Sequence, residues 1–143
     1  MVSFMVKINW SKGNWYFKSK KKNSLFNLIN LKKDIKNYFF DISNKQKVKK
    51  AILKNKPDFI FHLAAQALVK NSFLFPTETW TTNTLGTINI LDSLRYLNSK
   101  CSIILITSDK VYKNIEIKKG YKENDILGSD DPYSASKASA ELA

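Results

Sequence analysis

Tyr133-Ser134-Ala135-Ser136-Lys137 is the stretch of this sequence best suited to chemistry. A tyrosine and a lysine four residues apart share one face of a helix. An ammonium at that distance favours the phenolate, which makes Tyr133 a candidate general base. In a chain with 24 Lys+Arg such a pair also arises by chance, so it needs company before it carries weight. Company stands upstream. Thr107-Ser108-Asp109-Lys110 follows an apolar run, and Asp131-Pro132 immediately precedes the tyrosine. His62-Leu63-Ala64-Ala65-Gln66 and Thr82-Asn83-Thr84-Leu85-Gly86-Thr87 lie further up. The plain readings of these residues are a surface Asp-Lys pair, a capping Asn83 and core packing by Leu63, Ala64 and Ala65.

Hydrophobic patterning supplies the scaffold that must position them. Tyr38-Phe39-Phe40 is an apolar run ending at Asp41 and reads as a buried strand. Ser43 or Asn44 can cap a helix in which Val48, Ala51 and Ile52 recur at helical spacing, stopped by Pro57. Residues 58–63 form a second strand, apolar enough to be covered on both faces. A long helix is expected from Glu78 or Asn83 to Tyr96, with Leu85, Ile88, Leu91 and Leu94 as its buried stripe. Residues 102–107 give a third strand, 113–131 a polar loop, and Tyr133 onward is helical. This rhythm predicts an α/β fold, a Rossmann-like doubly wound parallel sheet whose ligands bind beyond the carboxyl ends of the strands. Asp41, Gln66 and Thr107 to Lys110 stand at those ends. Residues 1–30 read as a divergent lead-in, although MVKINW and NWYFK suit short strands about Ser11-Lys12-Gly13. Residues 31–143 read as the domain.

Composition narrows the function classes. A chain of 143 residues, 43% hydrophobic, has room for one domain with a real core. No window approaches the ~18 apolar residues of a membrane span, and the N-terminus lacks a leader pattern. A cytoplasmic protein with no membrane partner is therefore expected. The single Cys101, with His62 the one histidine, argues against disulfides and metal sites. The net charge of +12 invites a nucleic-acid reading. Arg95 is the sole arginine, however, and bidentate phosphate or base recognition favours arginine. A basic, non-catalytic α/β module binding a polyanion or a protein partner stays as the alternative.

Taken in order, these motifs resemble the extended short-chain dehydrogenase/reductase family over about residues 37–143, with a start extending toward Lys22. Gln66-Ala67-Leu68-Val69, Pro76-Thr77-Glu78-Thr79 and Gly120-Tyr121-Lys122-Glu123-Asn124-Asp125 are most similar to its nucleotide-sugar 4,6-dehydratases of the CDP-glucose type. The resemblance implies a lyase that uses NAD and a nucleotide-sugar substrate. Asp41 and Ile42 would contact the adenine, while Leu63, Ala64 and Ala65 line the cofactor with Thr107 beside it. Asn83 would hold a bend in the active-site helix. Ser108 would bond the sugar hydroxyl being oxidised, Tyr133 would take its proton, and Lys137 would hold the nicotinamide ribose. Hydride would leave the fourth carbon for NAD and return to the sixth after water departs, with Asp109 protonating the leaving hydroxyl. Lys110 stands where dTDP-glucose dehydratases carry a glutamate base, which favours the CDP-glucose type over dTDP-, UDP- or GDP-sugar relatives. A homodimer through the helices near 83–96 and 133 onward is also implied.

Two departures temper this. Gly13, Gly86, Gly120 and Gly128 are the only glycines, and none forms the G-x-x-G-x-x-G loop that cradles pyrophosphate. The sequence also stops six residues after Lys137. It therefore reads as an internal piece, an incomplete domain with little dehydratase activity of its own.

Overall fold

The computed structural model describes Met5–Lys7, Gly13–Phe17 and residues 35–128 and 130–143. Five strands, β1 (Met5–Lys7), β2 (Gly13–Phe17), β3 (Ile35–Phe39), β4 (Phe59–His62) and β5 (Ser102–Leu105), form one sheet in the order β3-β2-β1-β4-β5. β2 runs parallel to β3, and β4 runs parallel to β5 with Phe59 opposite Ser102 and His62 opposite Leu105. The expected parallel architecture holds for these four strands, and β1 departs from it by running antiparallel to both its neighbours. The reason is connection length. Only residues 8–12 separate β1 from β2, enough for an antiparallel return but far short of a parallel crossover. Segments 5–7 and 13–17 of the expected lead-in thus sit in the same sheet as strands from 31–143.

Helix α1 (Lys45–Asn55) starts where Asn44 accepts a bond from the Lys47 amide at 3.0 Å. Its end is set by Pro57, whose ring disfavours a helical residue before it, and Lys56 accordingly turns left-handed at φ 42°. Val48, Ala51 and Ile52 of α1 join Ile42, Ile60, Ala64 and Ile90 in the apolar core, against which Tyr38, Phe40, Leu94 and Ile103 pack. Downstream come α2 (Val69–Leu74), α3 (Pro76–Trp80), a π-helical turn (Thr81–Leu85), α4 (Gly86–Leu94), a 3-10 turn (Asp109–Val111) and α5 (Pro132–Glu141). α1 lies along α4, while α5 packs on α2, α3, the π turn and the 3-10 turn. Asn89 of α4 donates to the carbonyls of Ile42 and Ser43 at 3.0 and 3.1 Å, tying that helix to the end of β3.

Two expectations are corrected by burial. β4 is not covered on both faces: Ile60 and His62 are buried, while Phe59 is 42% exposed. Phe39 and Ile104 are exposed in the same alternating sense, so the described residues cover one face of the sheet. The second correction concerns the long helix. Leu85 and Ile88 face outward, and the buried positions are Thr82, Asn83, Gly86, Thr87, Ile90 and Ser93. Small hydroxyl side chains can be buried there because Thr87 and Ser93 donate to the carbonyls of Asn83 and Asn89, at 2.7 and 2.6 Å.

Gly86 sets how close α4 comes to the end of β3. A Cβ at this position would lie 2.5 Å from Ile42 Cδ1 and 2.7 Å from Ile42 Cγ1, and Ile42 is itself 2% exposed. We expect Gly86→Ala to cost about 1–3 kcal/mol despite alanine's better helix propensity. Ile42→Val, which deletes Cδ1, should recover part of that loss in a double-mutant cycle of urea unfolding. An additive cycle would show that α4 does not rest on this contact.

Candidate functional site

β3, β4 and β5 point the same way, so the residues that follow them line one edge of the sheet. Asp41 and Ile42 follow β3, Leu63 to Gln66 follow β4, and Ile106 to Lys110 follow β5. Asp41 accepts a bond from the Ser43 amide at 2.9 Å. The Ile42 and Ala64 side chains are spent in the core, each 2% exposed, whereas Leu63 stands out at 46% and Ala65 is half-buried.

The backbone beyond β4 is held by a side chain from the helix layer. Gln66 donates its amide to Asn83 Oδ1 at 2.7 Å and accepts from Asn83 Nδ2 at 3.2 Å. Asn83 caps no helix; it sits within the π turn, 1% exposed. Wide turns of this kind concentrate at functional sites. The carboxamide of Gln66 is also fully used, donating to Leu68 O and Thr79 Oγ1 and accepting from the Leu68 amide.

α5 begins at Asp131, whose carboxylate accepts from the Ser134 amide at 2.9 Å and the Ser134 hydroxyl at 2.6 Å. Pro132 occupies the first helical position, where its missing N–H costs nothing. Burial works against the Asp131 charge, but the Ser134 bonds, the Tyr133 amide and nearby Lys110 hold its pKa below the ordinary value. Tyr133, Ser136 and Lys137 are all buried. The Lys137 ammonium donates to the Ile106 carbonyl at 2.7 Å, directly before Thr107 at the end of β5. Burial pulls the Lys137 pKa down, opposed by Glu141 one turn on.

Ser108 caps the 3-10 turn by accepting from the Lys110 amide at 3.2 Å, and donates to Asp109 Oδ1 at 3.0 Å. Asp109 and Lys110 are exposed and line a cavity of about 620 Å³ together with Tyr112, Asp131 and Ser134. The Tyr112 and Tyr121 rings, both on that wall, stack 5.0 Å apart. The strand-end residues Ser108, Asp109 and Lys110 and the helix residues Tyr133 and Lys137 are thus carried on elements in direct contact.

The sequence offers His62 only as the first residue of a motif with no role of its own; its place is structural. The Nε2 atom lies 3.0 Å from Thr87 Oγ1, whose own hydrogen goes to the Asn83 carbonyl. Nε2 must therefore carry the proton, a tautomer assigned from the network. Nδ1 is buried with no hydrogen-bond partner among the described residues. Among the described residues no three His, Cys, Asp or Glu side chains group as metal ligands, and no helix is long and apolar enough to cross a membrane. Thr87 and Ser136 stand inside motifs of the sequence without a role of their own, since a small hydroxyl residue carries no periodic signal.

A profile of the GDP-mannose 4,6 dehydratase family matches residues 3–143. The chain is 40% identical over 119 residues to a CDP-glucose 4,6-dehydratase of Salmonella typhimurium, a match that covers 83% of this chain and 33% of that protein. It is 35% identical over 116 residues to a CDP-paratose 2-epimerase of Salmonella typhi, covering 71% and 34%. In fold it matches a dTDP-glucose 4,6-dehydratase of Streptomyces venezuelae solved with NAD bound, at TM-score 0.80 and 20% identity over 94% of this chain and 41% of that one. A UDP-glucose 4-epimerase of Thermotoga maritima, solved with UDP-glucose, matches at TM-score 0.70 and 25% identity, covering 80% and 37%. The chain spans about a third of the length of these curated relatives.

His62 gives the site a measurable pH signature. Burial first, and the Lys137 charge second, lower its pKa from 6.5 to about 4. The unfolded chain therefore binds this proton at higher pH than the folded one, so stability is intact above pH 6.5 and falls as pH drops toward 4. The loss should be on the order of 3 kcal/mol across that window. Urea midpoints from pH 7.5 down to 4 should show it, and His62→Gln should flatten the slope; parallel slopes for the two chains would refute the assignment.

Proposed function

This chain belongs to the GDP-mannose 4,6-dehydratase family, and we propose that it is the cofactor-side part of an NAD-dependent nucleotide-sugar 4,6-dehydratase of the CDP-glucose type. The observation that supports this reading most directly is the bond from Lys137 to the Ile106 carbonyl. It draws the helix of Tyr133 and Lys137 to the strand end that bears Thr107, Ser108, Asp109 and Lys110.

The strand-end residues fit one half of NAD better than the other. A buried lysine donor at Lys137, the half-buried Ala65, the exposed Leu63 and the Asp41 carboxylate suit the nucleoside portions. A pyrophosphate is usually met by a glycine-led helix N-terminus. The four glycines of the sequence, Gly13, Gly86, Gly120 and Gly128, form no such glycine-rich loop. When bound, NAD supplies the acceptance and return of hydride.

The chain's own residues do the rest. Tyr133 removes the proton from the hydroxyl at the fourth sugar carbon, and the Lys137 ammonium holds the ribose. Ser108 bonds the same hydroxyl, exchanging its present acceptor, Asp109 Oδ1, for the sugar oxygen. Asp109, freed and facing the cavity, protonates the hydroxyl that leaves the sixth carbon. Lys110 stands beside it where the dTDP-glucose type has a glutamate base, which is the residue-level reason for preferring the CDP-glucose type. A surface-bound polyanion, the alternative reading, would instead call for lysines converging on one face.

Calorimetric titration of NAD into the purified chain, repeated with Lys137→Met, tests the reading. We expect saturable binding that weakens at least about tenfold in the variant. The melting temperature should not fall, because an apolar side chain of similar volume replaces a buried cation. Equal affinity in the two chains would sink the assignment of Lys137 to the cofactor.

A further inference from the structure

Resting on the reading of Tyr133 and Lys137 as the reactive pair, we propose that Ser136 is a positioning residue that locks their helix to the end of β4. Ser136 is fully buried, between the two reactive residues in sequence. Its hydroxyl donates to the Tyr133 carbonyl at 2.6 Å and accepts from Asn83 Nδ2 at 2.9 Å. Its carbonyl accepts from the Thr84 hydroxyl at 2.9 Å. One residue is thus gripped at two points by consecutive residues of the π turn.

The grip extends to the sheet without a gap. Asn83 has two amide hydrogens and one carbonyl oxygen: one hydrogen goes to Gln66 O, the other to Ser136 Oγ, and the oxygen takes the Gln66 amide. Deleting the Ser136 hydroxyl leaves a buried Asn83 N–H without an acceptor, which the carboxamide can repair only by turning. Turning releases the backbone of Gln66 and lets α5 rotate about its axis. Such a rotation swings Tyr133 and Lys137 together away from the end of β5, where Lys137 now meets Ile106. Ser136 touches neither cofactor nor sugar; it acts through the helix that carries both reactive groups.

The test follows NADH fluorescence on the full chain in the parent, Ser136→Ala, Thr84→Val and Ser93→Ala. Ser93 is the control, equally buried on α4 with its hydroxyl bonded to Asn89 O of its own helix. Ser136→Ala should raise the NADH Kd about tenfold and shift the emission of the saturated complex, reporting a displaced nicotinamide. Thr84→Val should do the same to a smaller degree, and Ser93→Ala should do neither. Unchanged Kd and emission in Ser136→Ala, or equal effects in Ser93→Ala, would overturn the proposal. If Ser136→Ala does not fold, Thr84→Val decides by the same two readouts. A parent chain that binds no NADH defeats the cofactor reading itself, and the lock is then judged by hydrogen exchange at the Gln66 amide. Faster exchange by about tenfold in Ser136→Ala but not in Ser93→Ala sustains it, and unchanged exchange overturns it.

Discussion

The backbone N–H and C=O of a residue buried past the end of a parallel strand must find partners away from water, and at Gln66 both partners belong to the single side chain of Asn83. That pairing imitates one rung of a sheet ladder, with a carboxamide standing in for a neighbouring strand. The strand end, the π turn and α5 all converge on it. Asn83 can serve three elements because an asparagine side chain both donates and accepts, and each of its donors and its acceptor has a partner. An aspartate of the same shape would lose both donors at once.

Charge in this corner follows the same economy. Lys137 and His62 are close enough for one to disfavour protonation of the other, and burial disfavours both cations. The conflict is resolved by keeping His62 neutral and bonded to Thr87, which leaves the lysine as the local cation. His62 thus serves by declining a proton. Asp131 and Lys110 both line the cavity and not the buried layer, so opposite charge is kept where water can screen it.

Much of this was legible in the residue order, and the reasons for the rest are physical. The apolar runs of β3 and β5, Asn44 as a cap and Pro57 as a stop were readable because transfer free energy and backbone sterics act locally. Placing Asp41, Gln66 and Thr107 to Lys110 at strand ends needed only the alternation of strand and helix. The stripe of Leu85 and Ile88 was misread because periodicity weighs hydrophobicity, whereas α4 turns hydroxyls inward once their hydrogens are satisfied within the helix. The reversal of β1 depends on a loop length, and the Ser136 to Asn83 bond spans 53 positions. Neither leaves a mark in a local window.

The helices are seated in two different ways. α1 rests on branched aliphatic side chains, Val48 and Ile52 against Ile60 and Ile90, while α5 rests on Asn83, Thr84 and Ser136. Apolar contact owes its strength to water and weakens on cooling, a loss that amide and hydroxyl bonds do not share. The two seats therefore respond to cold unequally. As temperature falls, the aliphatic seat under α1 slackens first, and the helix that carries Tyr133 and Lys137 keeps its register while α1 has begun to loosen.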